Sequence, residues 1–391
     1  MGLLADCRCD APPAGDGYDL RVPSPTPTPT PGDAGRDEVP ALIAAARCGE
    51  CHGMIESEWR RSGHARAATS AVYLRMREDA KSPLCDRCHA PLRALAPADP
   101  VAAEGVTCDV CHTLSASSLR PAVQGPLALH PEDSRRYGPL CDTKPHYFHS
   151  MGCSPLHRES ALCATCHDWT LGLAGGTQRA VLPQYQEWLH SQSVTSAVEC
   201  QSCHMPAARA EVAVGSGERA SVREHGFDRT RLLGKALRAT AQLQLDGARG
   251  RLAITLENRG AAHAVPSGLP EHRIVVGVEL RDDQGLVTTQ SERSLGRFWV
   301  DAQGREAPFY RAVAESSDTR IAAGQSREVV FDLSLAGPAR LRLYVHWLAL
   351  SPTLAQQLEL PAPAPRPMLS AELVVPASGP RTRTLRQELV P

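Results

Sequence analysis

Ten of the fourteen cysteines fall into five copies of one pattern, C-x-x-C-H. The copies are Cys48-Gly49-Glu50-Cys51-His52, Cys85-Asp86-Arg87-Cys88-His89, Cys108-Asp109-Val110-Cys111-His112, Cys163-Ala164-Thr165-Cys166-His167 and Cys200-Gln201-Ser202-Cys203-His204. Two thiols three positions apart can each form a thioether with one of the two vinyl groups of a single porphyrin. The histidine that follows then lies under the iron and supplies one axial nitrogen. The ten cysteines are therefore expected to attach five covalent c-type haems, with His52, His89, His112, His167 and His204 as proximal iron ligands. Structural zinc would take four ligands from two knuckles and does not require a histidine after every pair. A thioredoxin-like dithiol would be expected once, on a strand-to-helix unit.

The elements that must hold these sites follow from length and composition. A chain of 391 residues suggests two or three domains. With 42 basic and 43 acidic side chains the net charge is -1, so no bulk field favours nucleic acid. No run approaches the ~20 apolar residues of a membrane helix. Residues 1–36 read as a disordered leader with a Pro-Thr linker from Pro23 to Pro31, an extended and semi-rigid spacer. Residues 37–230 read as the haem-bearing domain, irregular apart from short helices. Those helices are expected over Asp37–Cys51, Glu56–Met76 (as one or two), Ser160–His167 and Gln184–Gln192. Residues 37–206, which hold all five motifs, leave about 34 residues of protein per site, too few for a core of side chains alone, and aromatic residues are only 4%. The porphyrins must themselves be core material. Residues 231–391 change to period-two alternation, in Ala239–Leu245, Arg251–Leu256, Ile274–Arg281, Arg327–Leu333, Arg340–His346 and Leu369–Val375. Such spacing suggests an all-β, immunoglobulin-like sandwich.

Haem attachment by thioethers takes place outside the cytoplasmic membrane, so a periplasmic or cell-surface location is expected. The opening MGLLADCRCD lacks the basic and apolar regions of a signal peptide, so a longer natural start is expected. Leu4-Ala5-Asp6-Cys7 is close to a lipoprotein cleavage site except at Asp6, which makes Cys7 a candidate lipid anchor. Cys141 and Cys153 lie outside the motifs, and in an oxidising compartment they suit a disulfide.

Ten histidines remain for the sixth positions: His64, His130, His146, His149, His157, His190, His225, His263, His272 and His346. Methionine is the competing ligand, and Met54, Met76, Met151 and Met205 lie in the haem segment.

Several stretches resemble the multihaem c-type cytochromes related to hydroxylamine oxidoreductase and to the tetrahaem electron carrier of ammonia oxidisers. Trp59-Arg60-Arg61-Ser62-Gly63-His64-Ala65 is similar to that group's W-x-x-S-x-H-A helix, and Glu104-Gly105-Val106-Thr107 to the approach to its third site. Arg136-Tyr137-Gly138-Pro139, then His149 and Leu156-His157, resembles its central stretch. Tyr185-Gln186-Glu187-Trp188 and Cys200 to Pro206 resemble its last site, and Glu224-His225-Gly226-Phe227 the element after it. Ala262-His263-Ala264-Val265-Pro266-Ser267-Gly268 resembles the opening of a β-domain in longer members. The resemblance spans roughly residues 48–300 and implies His64, His149, His157, His225 and His263 as distal ligands, with His190 in reserve. No C-x-x-C-K occurs; Lys81, Lys144 and Lys235 are the only lysines. That removes the most recognisable catalytic signature.

Two functions follow from these residues. One is electron transfer through closely packed, mostly bis-histidine haems, with a redox protein or a quinone-linked donor or acceptor as partner. The other is a haem oxidoreductase of a small nitrogen or sulfur species at one open-faced haem. Catalytic residues are not identified. The intact mass of protein matured by a cytochrome c assembly system is expected to exceed the polypeptide by five haems, with a c-type pyridine haemochrome. A mass showing four or fewer in fully matured protein would contradict the motif count.

Overall fold

The computed structural model describes residues 42–391 apart from 117–118, 132–133, 145, 173–177, 283, 336 and 377–381. Cys7 and the 23–31 tract lie outside the described residues. The first half consists of short helices: α1 (Ala45–Gly49), α2 (Gly53–Arg60), α3 (Ala71–Ala80), α4 (Leu84–His89), α5 (Cys108–His112), α6 (Ala161–His167), α7 (Gln184–Leu189), α8 (Gln192–Thr195) and α9 (Cys200–His204). Three two-stranded ladders interrupt them. They are β1 (Arg135–Gly138) with β2 (Ser150–Cys153), β3 (Trp169–Gly172) with β4 (Gln178–Leu182), and β5 (Ala207–Glu211) with β6 (Glu218–Arg223). α1 starts only at Ala45, and the 56–76 stretch is divided between α2 and α3.

Four motifs lie on short helices, and the first is a helix-like turn after α1, with Cys51 N and His52 N both bonded to Cys48 O. On a helix, residues three and four apart share a face, so both thiols and the histidine of a motif present to one side. The segment's own apolar cluster is small: Leu92, Ala102, Val110, Leu114, Ala122, Leu127 and Leu129.

α10 (Arg229–Ala236) leads into nine strands, β7 (Leu237–Asp246), β8 (Arg249–Asn258), β9 (Arg273–Arg281), β10 (Val287–Val300), β11 (Ala314–Asp318), β12 (Ser326–Ser334), β13 (Ala339–Leu348), β14 (Arg366–Val375) and β15 (Thr382–Leu389), with α11 (Pro352–Gln357) between β13 and β14. They form a four-stranded sheet, β12-β8-β7-β15, and a five-stranded sheet, β11-β10-β9-β13-β14. The two sheets share one core. Leu243, Leu252, Ile254 and Phe331 enter it from the first sheet, and Ile274, Val276, Leu341 and Leu343 from the second. All six segments of alternating pattern are strands. β10, β11 and β15 were not legible as such. The first half of β10, Val287-Thr-Thr-Gln-Ser-Glu-Arg-Ser, is exposed on nearly every residue and carries no alternation.

A second apolar cluster sits in the seam between the halves. Met76 of α3 packs with Val181, Trp299, Phe309, Leu350, Ala355 and Leu358. Arg75 donates to Leu358 O (2.8 Å), and the Tyr310 hydroxyl to Asp79 (2.8 Å).

Cys141 and Cys153 are disulfide-bonded, with Cα atoms 4.7 Å apart, whereas all ten motif cysteines are free of disulfides. Replacing both Cys141 and Cys153 with Ser is expected to leave haem content unchanged and to lower stability by about 2–4 kcal/mol, measured by denaturant unfolding. Loss of a haem from that variant would assign these cysteines to an attachment site instead.

Candidate haem sites

One cavity of about 3150 Å³ is lined by all ten motif cysteines and all five motif histidines. An ordinary small-ligand pocket holds roughly 300–1,000 Å³. A single space several times larger, with five attachment motifs on its wall, has the capacity for several macrocycles. The motifs stand in contact with one another around it. Cys48 neighbours Cys108, Cys88 neighbours Cys166, and Cys163 neighbours Cys200.

The orientation of the motif histidines is fixed from the side away from the metal position. His52 donates Nδ1–H to Val212 O (2.7 Å), His89 to Ala67 O (3.0 Å) and His112 to Tyr137 O (2.6 Å). A carbonyl accepts only from N–H, so in all three Nε2 keeps its lone pair for a metal. Burial pushes His204 down to about 4, and lowers His89 and His112 as well. Neutral imidazole is the form that binds iron.

Four further histidine rings face motif histidines across the cavity. Ring centroids are 6.2 Å apart for His52 and His149, 6.4 Å for His64 and His167, 6.2 Å for His112 and His225, and 6.3 Å for His204 and His263. Two imidazoles on opposite sides of one metal, each about 2 Å from it with about 1 Å more to the ring centre, have centroids about 6 Å apart. The residues present therefore fit haem iron with two axial histidines at four of the motifs.

Each of the four facing histidines is delivered by a distinct device. His64 follows α2, and the Ser62 hydroxyl accepts from His64 N (3.1 Å) and Ala65 N (3.2 Å). Trp59 Nε1 donates to Val106 O (2.7 Å), and Val106 N to His64 O (3.1 Å). Gly105, at φ +90°, lies against His64 O so closely that a Cβ there would collide with it. His149 enters β2 of the parallel ladder, whose β1 also supplies the Tyr137 carbonyl under His112. The His149 Nδ1 is buried with no protein partner, a donor set that a metal would complete. His225 follows the β5–β6 hairpin, donating Nδ1–H to Arg223 O (2.8 Å) while its backbone N–H reaches Glu58 (2.8 Å). Burial pushes it down to about 4. His263 comes from the loop between β8 and β9, in the half of the chain without motifs.

His157 is placed differently. Its ring lies alongside His112, with centroids 5.5 Å apart, and its Nε2 donates to Cys111 O (3.0 Å). With Nε2 bonded to that carbonyl, Nδ1 keeps its lone pair and is buried with no hydrogen-bond partner. His190 is exposed and bonded to Gln186 O (2.6 Å), and His346 stacks on Tyr344. Met54 is 46% exposed, whereas Met76 is buried in the seam.

His89 faces no histidine among the ring contacts of the described residues. Its ring stacks on Tyr73, with centroids 4.4 Å apart and planes 13° apart. The Tyr73 hydroxyl donates to Asp86, inside the second motif. Arg77 holds the same carboxylate with two bonds (2.7 and 2.6 Å), and Arg93 adds a third (3.2 Å). Sequence reasoning missed this cluster, because Asp86 occupies one of the free x positions of C-x-x-C-H.

A family model described as cytochrome c554 and c-prime matches residues 47–113, the span of the first three motifs. Among solved structures, the chain is similar to a penta-haem cytochrome c552 from Thermochromatium tepidum. The identity is 22% and the TM-score 0.68, over 85% of this chain and 99% of that one. No curated protein matches. The structural likeness shows the fold. The family match covers the first three motifs and no more of the chain.

The Asp86 cluster makes a prediction about pH. Burial alone would raise the Asp86 carboxyl, but the bonds from Arg77 and Tyr73 outweigh it and hold it below its ordinary value. A carboxyl lowered in the folded state contributes stability above its unfolded value and loses it as pH falls. Asp86→Asn is expected to lower stability at pH 7 by about 1–3 kcal/mol. The difference from the parent should shrink below about pH 4. Denaturant midpoints at pH 7 and pH 3 test this; equal differences at both would show the carboxylate charge to be irrelevant.

Proposed function

We propose that this chain is a pentahaem cytochrome c that carries electrons through closely packed, mostly bis-histidine haems outside the cytoplasm. The observation that carries the reading is the set of four opposed histidine pairs at 6.2–6.4 Å across one cavity. Bound at the five motifs, c-type haem supplies one-electron chemistry whose potential depends on ligand, burial and nearby charge. The chain's own part is to hold the sites in register and to orient their ligands. Carbonyl acceptors fix the rings of His52, His89 and His112. Neighbouring cysteines place the first motif beside the third, the second beside the fourth and the fourth beside the fifth. His64, His149, His225 and His263 are the distal ligands in this reading. His157 bonds Cys111 O through Nε2, so it would offer a metal its Nδ1, and it stands behind these four as a further candidate.

The kinship with the hydroxylamine oxidoreductase group and the immunoglobulin-like character of the sandwich are part of the same reading. So are a periplasmic or cell-surface location, a lipid on Cys7, and a redox protein or quinone-linked partner. No helix among the described residues is long and apolar enough to cross a membrane.

A second reading has one observation in its favour: among the ring contacts of the described residues His89 is met by Tyr73, stacked directly on it, and by no histidine. An iron at that site with one open face would make the chain an oxidoreductase of a small nitrogen or sulfur species. Low-temperature electron paramagnetic resonance of the five-haem protein is expected to show four low-spin haems and one high-spin haem, the latter turning low-spin with cyanide. Five low-spin haems would remove the oxidoreductase reading. Two or more high-spin haems would break the proposed pairings.

A further inference from the structure

His263 is the one histidine of the four pairs that comes from the β half, so its position depends on how the two halves are seated. The loop that presents it is gripped from both sides. Within the β half, Asn258, fully buried, donates Nδ2–H to His263 O (2.9 Å) and to Ile321 O (2.9 Å). Val265 and Ile321 exchange both backbone bonds, 3.0 and 2.9 Å. From the haem half, Glu187 of α7 reaches across. Its Oε2 accepts from Ala264 N, the residue after His263, at 3.0 Å. Its Oε1 lies 2.8 Å from Arg320 Nη1, and both side chains are largely buried. Arg320 in turn is held by Asp318, at 2.8 Å from Nη2 and 3.1 Å from Nε. A second bond from the same helix, Gln184 Nε2 to Gly268 O (3.0 Å), holds the far end of the loop.

The arrangement is a carboxylate clamped between a backbone N–H and a guanidinium, both on the opposite half. A largely buried ion pair that loses one partner leaves the other uncompensated, so it is strongly destabilised when broken. A charge-assisted bond to the amide next to a ligand residue also fixes that residue's backbone.

We propose that Glu187 is a positioning residue for the His204 site. Its grip on Ala264 N and Arg320 holds the loop so that His263 stands opposite His204, and axial ligation there is conditional on the seating of the β half. Haem attachment at Cys200 and Cys203 does not depend on this contact; the sixth ligand does. The inference rests on His263 being that ligand, and the experiment separates the two.

Three holo variants are compared with the parent by electron paramagnetic resonance, with haem content and circular dichroism as controls for folding. His263→Ala is expected to add one further haem's worth of high-spin signal. If it does not, the ligand assignment falls and the clamp with it. Glu187→Ala is expected to add the same signal, and free imidazole should abolish it, because imidazole replaces a displaced ligand but does not repair a merely loosened fold. A parent-like spectrum in Glu187→Ala beside a changed one in His263→Ala would overturn the clamp alone. Should Glu187→Ala not accumulate with five haems, Glu187→Gln keeps an acceptor for Ala264 N and removes only the charge facing Arg320. In that variant the high-spin signal is expected to emerge at lower urea than in the parent, ahead of the loss of β-sheet dichroism. Onset at the same urea concentration as the parent would overturn the proposal.

Discussion

Opposed imidazoles across a shared cavity are the constraint on which the rest of the structure depends. Each pair unites residues far apart in the chain, and each needs both rings aimed along one line. The thioether motifs solve half of the problem locally, since one helical turn sets two thiols and a histidine on the same side. The other half requires a separate scaffold for every facing ring. The structure provides the turn after α2, against which the Gly105 backbone packs at His64, a four-residue parallel ladder, a hairpin, and a loop between β8 and β9. The short, irregular elements of the first half are therefore a set of ligand mounts, and their brevity follows from that task. A core of long helices would fill the space that the macrocycles need.

How much of this was legible in the sequence depended on range. The five motifs are local patterns and could be read outright. The period-two strands could be read because one face of each is buried in the shared core, as in β7, where Leu237, Ala239, Ala241, Leu243 and Leu245 alternate with exposed residues. β10 and β15 escaped because long parts of them are exposed on both faces, so no alternation marks them. The facing histidines have no local signature, and only the resemblance of their flanking residues pointed to them. His157, picked out by the same route, packs on His112 and bonds Cys111 O through Nε2, which leaves Nδ1 as the nitrogen it could offer. The Glu187–Arg320 pair and the Asp86 cluster were invisible because charged residues at such spacings occur everywhere on protein surfaces. Burial and partners give them meaning, and neither is written in one segment.

The two halves differ in what stabilises them. The β half has an aliphatic core of its own, drawn from both sheets, and such a core accounts for folding by burial of apolar area in the ordinary way. The haem half has only the small Leu92–Leu129 cluster, so its folding free energy must come in large part from the cofactor, as in small domains organised around a bound metal. This explains why a chain so poor in aromatic residues can fold a segment so dense in attachment sites.

A domain with its own core can be stable without its neighbour, so docking of the β half needs an argument of its own. The seam supplies three kinds of contact: the apolar cluster around Met76 and Trp299, the ion pairs at Asp79 and Glu187, and the His263–His204 opposition. The first two are ordinary interface terms: a half-exposed pair such as Arg311–Asp79 contributes little by itself, and the largely buried Glu187–Arg320 pair tells mainly when one partner is lost. The third differs in kind, because any iron–imidazole bond formed there would exist only when the halves are seated. By linkage, whatever favours that bond favours docking, and whatever loosens docking weakens the bond by the same free energy. The β half is thus coupled to the electronic state of the fifth site through a single ring. In the proposed electron carrier, that coupling would let contact at the β surface reach an iron that the surface never touches.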